Sequence, residues 1–141
     1  MISFKPTVDL LASAELTFGN MHPYYQHYSV SWELNKIQEQ IESLENWDVL
    51  YNEAIVGAIR LAYDEDGCYL RDLQVSEKFQ NKGIGAAALS EVQRLACKAE
   101  VAHLRLRVFK ISPAYELYKR TGFTVDKEDD RFYYMSKSIA I

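Results

Sequence analysis

The segment Gln80-Asn81-Lys82-Gly83-Ile84-Gly85 sets two glycines around one isoleucine, after an apolar stretch and before an alanine-rich one. The first turn of a helix has N–H groups that no intrahelical carbonyl can accept, and the helix dipole adds partial positive charge there. Gly83 and Gly85 carry no side chain, so an anion can approach the backbone closely. Lys82 adds a full positive charge, and Gln80 a polar side chain able to brace the loop. This combination suits a phosphate or pyrophosphate. A tight turn alone would also use two glycines, and the spacing is neither GxxxxGK[ST] nor a full GxGxxG.

Other chemistry-bearing side chains are less patterned. Cys68 and Cys97 are far apart and form no CxxC pair, which argues against a redox or metal site. His22 and His27 lack HExxH spacing and His103 stands alone, so no metal is expected. Tyr24, Tyr25, Tyr28 and Trp32 cluster in the first quarter of the chain, where they suit either a core or a pocket holding a cation on aromatic faces.

A chain of 141 residues is expected to form one domain over 1–141, long enough to bury a core. No apolar run approaches the roughly 20 residues that span a bilayer. The start "MISFKPTVDLL" lacks the features of a signal peptide. A cytoplasmic protein with no membrane partner is the expectation. The net charge of −4 is uneven. Residues 1–75 carry 12 acids and 4 bases, hence −8; residues 76–141 carry 8 acids and 12 bases, hence +4. This suggests something cationic near the first half and something anionic near the second. It argues against a nucleic-acid partner, which would call for a dominant basic surface.

The elements that must position these residues follow from periodicity. "ISF" reads as a short edge strand. Asp9 to Ser43 is mostly helical, with a break predicted in "FGNMHPYYQHYSVS" because Gly19 and Pro23 interrupt a single helix. "WDVLYN" and "AIVGAIRLAYD" read as two strands joined at Asn52-Glu53, and "CYLRDLQV" as a third with Leu73 and Val75 on one face and Asp72 and Gln74 on the other. From Gly83 a helical stripe returns through Leu89, Val92 and Leu95. "VAHLRLRVF" alternates as a strand, and "PAYELYKRT" is a short helix with Ser112 as N-cap, Pro113 at the first position and Gly122 at its end. "FTVD" and "RFYYMSKSI" close the chain as strands.

Strand, Gln-x-x-Gly-x-Gly, helix, strand and "SPAYELYKRTGF" in that order resemble the GNAT family of N-acetyltransferases over roughly residues 46–136. The resemblance implies an α/β (α+β) fold: a mixed, mostly antiparallel sheet, splayed between the strands at 68–75 and 101–109, with helices on both faces. It implies acetyl-CoA as co-substrate. The acetyl-CoA pyrophosphate would lie on Gln80, Asn81, Lys82, Gly83, Ile84, Gly85 and Ala86. The pantetheine arm would pair with backbone groups of Leu73 and Val75, one of whose N–H groups could polarise the thioester carbonyl. Ser112 stands where this signature usually has asparagine, a residue that reaches further toward the pantetheine.

Tyr118 sits where the family's tyrosine protonates the departing thiolate, beside the cofactor. An unperturbed phenol, with a pKa of about 10, is protonated at neutral pH. The general base is left open between Asp72 and Glu33, acting directly or through a water. Tyr24, Tyr28 and Trp32 are candidate acceptor-pocket residues. The implied activity is direct acetyl transfer, within a ternary complex, to a primary amine; the acidic first half favours a small amine or polyamine. A non-catalytic acyl-CoA-binding module, or an enzyme acting on a protein lysine or N-terminus, are the alternatives. A homodimer stays open.

Overall fold

The computed structural model describes residues 1–139. Among these described residues, seven strands and four helices follow one another in the order the periodicities predict. They are β1 (Ile2–Pro6), α1 (Leu10–His27), α2 (Leu34–Ile41), β2 (Glu45–Tyr51), β3 (Ala54–Asp64) and β4 (Gly67–Val75). After a 3-10 turn at Glu77–Phe79 come α3 (Ile84–Lys98), β5 (His103–Phe109), α4 (Ala114–Arg120), β6 (Thr124–Glu128) and β7 (Phe132–Ser138). The strands form one sheet in the order β1-β2-β3-β4-β5-β7-β6. β4 and β5 run parallel, and every other neighbouring pair is antiparallel. No helix among the described residues is long and apolar enough to cross a membrane.

Helices cover both faces. Ile84, Ala88, Leu89 and Val92 of α3 pack with Ile59, Leu61, Leu104 and Leu106 of the sheet in the larger core. A smaller cluster joins Ala14 of α1 to Ile37 and Ile41 of α2. A bulge in β4 decides which side chains face which layer. Arg60 pairs with Asp72 but Leu61 pairs with Leu70, so Arg71 is an extra residue. Cys68 and Leu70 therefore share the α3 face with Leu73 and Val75, while Asp72 turns toward α1.

The predicted break in α1 is not where the structure puts it. The helix runs unbroken from Leu10 to His27 with Gly19 and Pro23 inside. Pro23 withholds its N–H from the carbonyl four residues back, which belongs to Gly19, so both irregularities fall on one turn. Gly19 is exposed, and a Cβ there would meet nothing within 4 Å. The opposite face buries Ser13, Ala14 and Thr17 against the sheet, and that packing outweighs local propensity. The helix stops instead at Ser29, which adopts φ 54° while Val30 N–H bonds Tyr25 O at 2.8 Å and Ser29 N–H bonds Gln26 O at 3.2 Å. This closure, usually built on glycine, turns Val30 and Trp32 back toward the sheet. The end of α4 uses the same closure with the expected Gly122 at φ 103°.

Candidate active site

β4 and β5 pair at Cys68–Leu104 and Tyr69–Arg105 and then diverge. The gap opens into a cleft of ≈ 590 Å³ bounded by β4, β5, α1, α3, α4 and the β6–β7 hairpin. Ser76 N–H bonds Val56 O at 2.7 Å, toward β3. Backbone polar groups alternate edges along a strand, so those of Val75 and Leu73 point into the gap, where no strand accepts them. The Val75 carbonyl is already taken: Asn20 Nδ2 donates to it at 2.8 Å and Gln80 Nε2 at 2.9 Å. The polar groups left for a ligand strand are those of Leu73 and the Val75 N–H.

The edge leads into the glycine loop. Asn81 and Gly83 hold positive φ, 63° and 80°, and α3 starts at Ile84 with Gly83 as N-cap and no side chain capping the first turn. The N–H groups of that turn thus face the cleft uncapped, bordered by Gln80, Asn81, Gly83, Gly85 and Ala86. A Cβ on Gly85 would meet Leu117 Cδ2 at 3.2 Å, so Gly85 sets the approach of α3 to α4. Two loop residues turn away. Lys82 is exposed and outside the lining, and the Ile84 side chain is buried in the core, leaving only its backbone for an anion. Ser112 lines the cleft, and its Oγ accepts from Ala114 N–H at 3.2 Å, but α4 starts one residue later than predicted, at Ala114 with Pro113 as N-cap.

Tyr118 is 6 % exposed and borders the cleft, its ring edge-on to Phe123 at 5.7 Å. Burial, with the charge of Asp72 adding to it, pushes its phenol above the usual tyrosine range. Asp72 lines the same cleft. Its Oδ2 accepts from Arg60 Nη1 at 3.1 Å and its Oδ1 from Arg71 Nη1 at 3.3 Å. Arg60 is fully buried and also donates to Ser13 Oγ (2.6 Å), Ser13 O (3.0 Å), Thr17 Oγ1 (2.7 Å) and Asn46 Oδ1 (2.9 Å). Burial lowers its guanidinium from the ordinary arginine range, and Asp72 pulls it back up. Glu33 is not brought here: it stands exposed at the N-cap of α2, outside the lining.

Of the candidate pocket aromatics, Tyr24 and Trp32 line the cleft together with Tyr25. Burial is the main cause that raises the Tyr25 phenol, Asp72 raises it further, and Arg71, Arg107 and Arg60 oppose. Tyr28 stands behind the wall, stacked on Phe109 at 5.0 Å, with its hydroxyl donating to Arg131 O at 3.4 Å. Phe109 in turn stacks on Tyr24 and Phe132.

Sequence reasoning passed over Arg60, Asn20, Arg107 and Arg131. Arg60 was detectable, because a charge within the apolar run "AIRLA" demands a buried partner. The others meet the cleft only through tertiary packing. The charge reading also changes. The acids of residues 1–75 do not gather in the lining: among the described residues Asp72 is the one carboxylate there, against Arg71, Arg107, Arg120 and Arg131. No three His, Cys, Asp or Glu side chains gather as a metal site among the described residues.

No curated protein sequence matches the chain significantly. Its fold is similar to solved acetyltransferase structures along nearly the full length. The PaiA N-acetyltransferase of Thermoplasma acidophilum, in complex with coenzyme A, aligns at 17 % identity and TM-score 0.75 over 98 % of this chain and 99 % of that one. A GNAT acetyltransferase from Elizabethkingia anophelis with acetyl-CoA bound aligns at 19 % and 0.76, covering 97 % of each. The ribosomal-protein-S18-alanine N-acetyltransferase of Escherichia coli aligns at 19 % and 0.76, covering 100 % of this chain and 96 % of the other. Residues 24–134 match the acetyltransferase (GNAT) domain, and the chain belongs to that family.

Proposed function

We propose that the protein is one acetyltransferase domain over residues 1–141, acting in the cytoplasm, that moves an acetyl group from acetyl-CoA to a primary amine. The observation that carries this is the continuity of three features in one cleft: the open edge of β4, the uncapped start of α3 and the Tyr118 ring. The cleft's chemistry fits the co-substrate. Leu73 and Val75 offer strand-like pairing to an amide-bearing arm, and the first turn of α3 offers N–H groups to a pyrophosphate. When bound, acetyl-CoA supplies the thioester: the C–N bond to the acceptor forms as the C–S bond breaks, and the thiolate takes a proton.

Tyr118 holds that proton. Its raised phenol stays protonated at neutral pH, and Tyr118 lines the same cleft as Leu73 and Val75. An N–H of that edge polarises the carbonyl. Both oxygens of Asp72 are engaged by arginines, so any proton Asp72 accepts competes with those contacts. We therefore place a water between Asp72 and the incoming amine. The amine proton passes to that water, held by Asp72, and on to solvent, and Glu33 takes no part.

The test is incubation of the purified protein with acetyl-CoA and a panel of amines, reading free CoA and acetylated product by mass. Product formed at a rate that Tyr118→Phe cuts strongly supports the reading. Tight acetyl-CoA binding with no product from any amine would favour the non-catalytic binding module.

A further inference from the structure

We propose that the acceptor carries a carboxylate beside its amine, next to an apolar or aromatic group, and that Arg107 and Arg131 receive that carboxylate. The inference rests on the acetyltransfer reading above and names its substrate class. Arg107 comes from the diverging end of β5 and Arg131 from the β6–β7 hairpin, and both line the cleft. The Arg107 guanidinium carbon lies 4.3 Å from the centroid of Phe132 in the aromatic wall, and that of Arg131 5.9 Å from the centroid of Tyr28, which backs that wall. Stacking on rings orients a guanidinium and leaves its N–H fork free for a planar carboxylate.

Neither arginine is in an ion pair among the described residues, and the other side-chain neighbour of Arg107 is the neutral Tyr134 hydroxyl. The ion pairs among the described residues join Arg60 and Arg71 to Asp72, Arg94 to Glu91, Arg105 to Asp64 and Lys110 to Glu128. Two carboxylates stand near. Asp129 is committed to Arg131 N–H (2.8 Å), Phe132 N–H (2.7 Å) and the Tyr134 hydroxyl (2.7 Å). Asp130 is exposed and shares a shallow groove with both arginines without pairing to either. Arg71 is held by Asp72 and Gln40. The acceptor end thus has two cations with no ion-pair partner among the described residues, a neutralised carboxylate and a wall of Tyr24, Val30, Trp32, Phe109 and Phe132. A polyamine would meet like charge there. An amino acid with an apolar side chain would meet opposite charge and apolar surface.

The step balances as R–NH2 plus acetyl-CoA giving the N-acetyl amine and free CoA thiol. The carboxylate stays unchanged and only orients the nitrogen.

The experiment compares matched pairs: L-phenylalanine with phenethylamine, and 4-(aminomethyl)benzoate with benzylamine, alongside O-phosphoethanolamine and spermidine. The carboxylate member of at least one pair should show kcat/KM tenfold or more above its partner. Arg107→Ala and Arg131→Ala should each shrink that preference by roughly tenfold to a hundredfold, the scale of a charge-assisted hydrogen bond. Arg107→Lys should keep most of it. Calorimetry of L-phenylalanine and 4-(aminomethyl)benzoate on the CoA-loaded protein gives a readout apart from turnover, and CoA affinity checks that each variant is folded. Equal turnover within both pairs, a preference for spermidine, or carboxylate binding insensitive to both arginines overturns the inference while acetyl transfer stands. A preference for O-phosphoethanolamine overturns the carboxylate in favour of a phosphate. Absence of product from every amine overturns the acetyltransfer reading and this one with it.

Discussion

Arg60 of β3 and Asp72 of β4 are register partners, and their side chains meet at 3.1 Å with 0 % and 8 % exposure. The same guanidinium reaches Ser13 and Thr17 on α1, so one buried ion pair locks the N-terminal helix to the strand that borders the cleft.

Removing one partner of such a pair strands a buried charge, which typically costs about 3–5 kcal/mol. Arg60→Met should therefore lower unfolding free energy by several kcal/mol. The double variant Arg60→Met with Asp72→Leu should recover part of that loss, because it leaves no buried charge unpaired; Arg71, which also loses Asp72, is partly exposed. Urea denaturation of the two single variants and the double one measures the coupling. Purely additive losses would mean that the contact contributes little.

Tyr118→Phe keeps the ring in its packing against Phe123 and removes the hydroxyl. If that hydroxyl protonates the thiolate, kcat should fall roughly 10²–10⁴-fold while acetyl-CoA affinity changes far less. The pH profile adds a second check. Burial raises the phenol above its usual value, so Tyr118 stays protonated up to at least about pH 10. The variant should then lower the activity plateau without moving either limb below that pH. A basic limb below that pH that vanishes in Tyr118→Phe would overturn the raised phenol, while an unchanged plateau would remove Tyr118 from the acid role.

Gly83 tests the anion site. Its φ of 80° disfavours any side chain, although a Cβ there would meet nothing within 4 Å. Gly83→Asn, which tolerates left-handed backbone, should hold CoA within a few-fold of the parent. Gly83→Glu adds strain and a negative charge at the start of α3 and should weaken CoA by tenfold or more. Calorimetry of CoA on both variants decides. Equal affinities would move the phosphates away from this loop.

Asp129 shapes the hairpin that carries Arg131 and Phe132. N–H donation from Phe132, then the Tyr134 hydroxyl, then the Arg131 N–H hold its carboxyl down at about 2. A depressed carboxyl contributes stability above its unfolded value of 3.8 and loses it as pH falls through about 2. Carbon-detected NMR of the Asp129 carboxyl should show a midpoint near 2. Asp129→Asn should abolish this acid dependence and loosen the hairpin amides in hydrogen exchange. A midpoint near 3.8 would show that the hairpin contacts do not persist in solution.

The order of strands and helices was legible in the residues because each depends on near neighbours. Alternation in "VAHLRLRVF" and the helical stripe of Leu89, Val92 and Leu95 follow from backbone geometry, which repeats every two or 3.6 residues. The glycine loop was legible for the same reason, since positive φ at Gly83 is a local requirement. What lay beyond the sequence depends on pairings dozens of residues apart. Pro23 reads as a helix breaker, yet α1 runs through it because Ser13 and Thr17 are held by Arg60, more than forty residues away. The acidic first half reads as a pocket for a cation, yet of its acids sheet register leaves Asp72 at the cleft, among the described residues, and neutralises it with Arg60 and Arg71. Arg107 and Arg131 reach one aromatic wall only because β5 pairs with β7, setting Phe109 opposite Phe132. Local sterics choose the elements. The register of distant strands, which no short window of sequence contains, chooses which charges face the cleft.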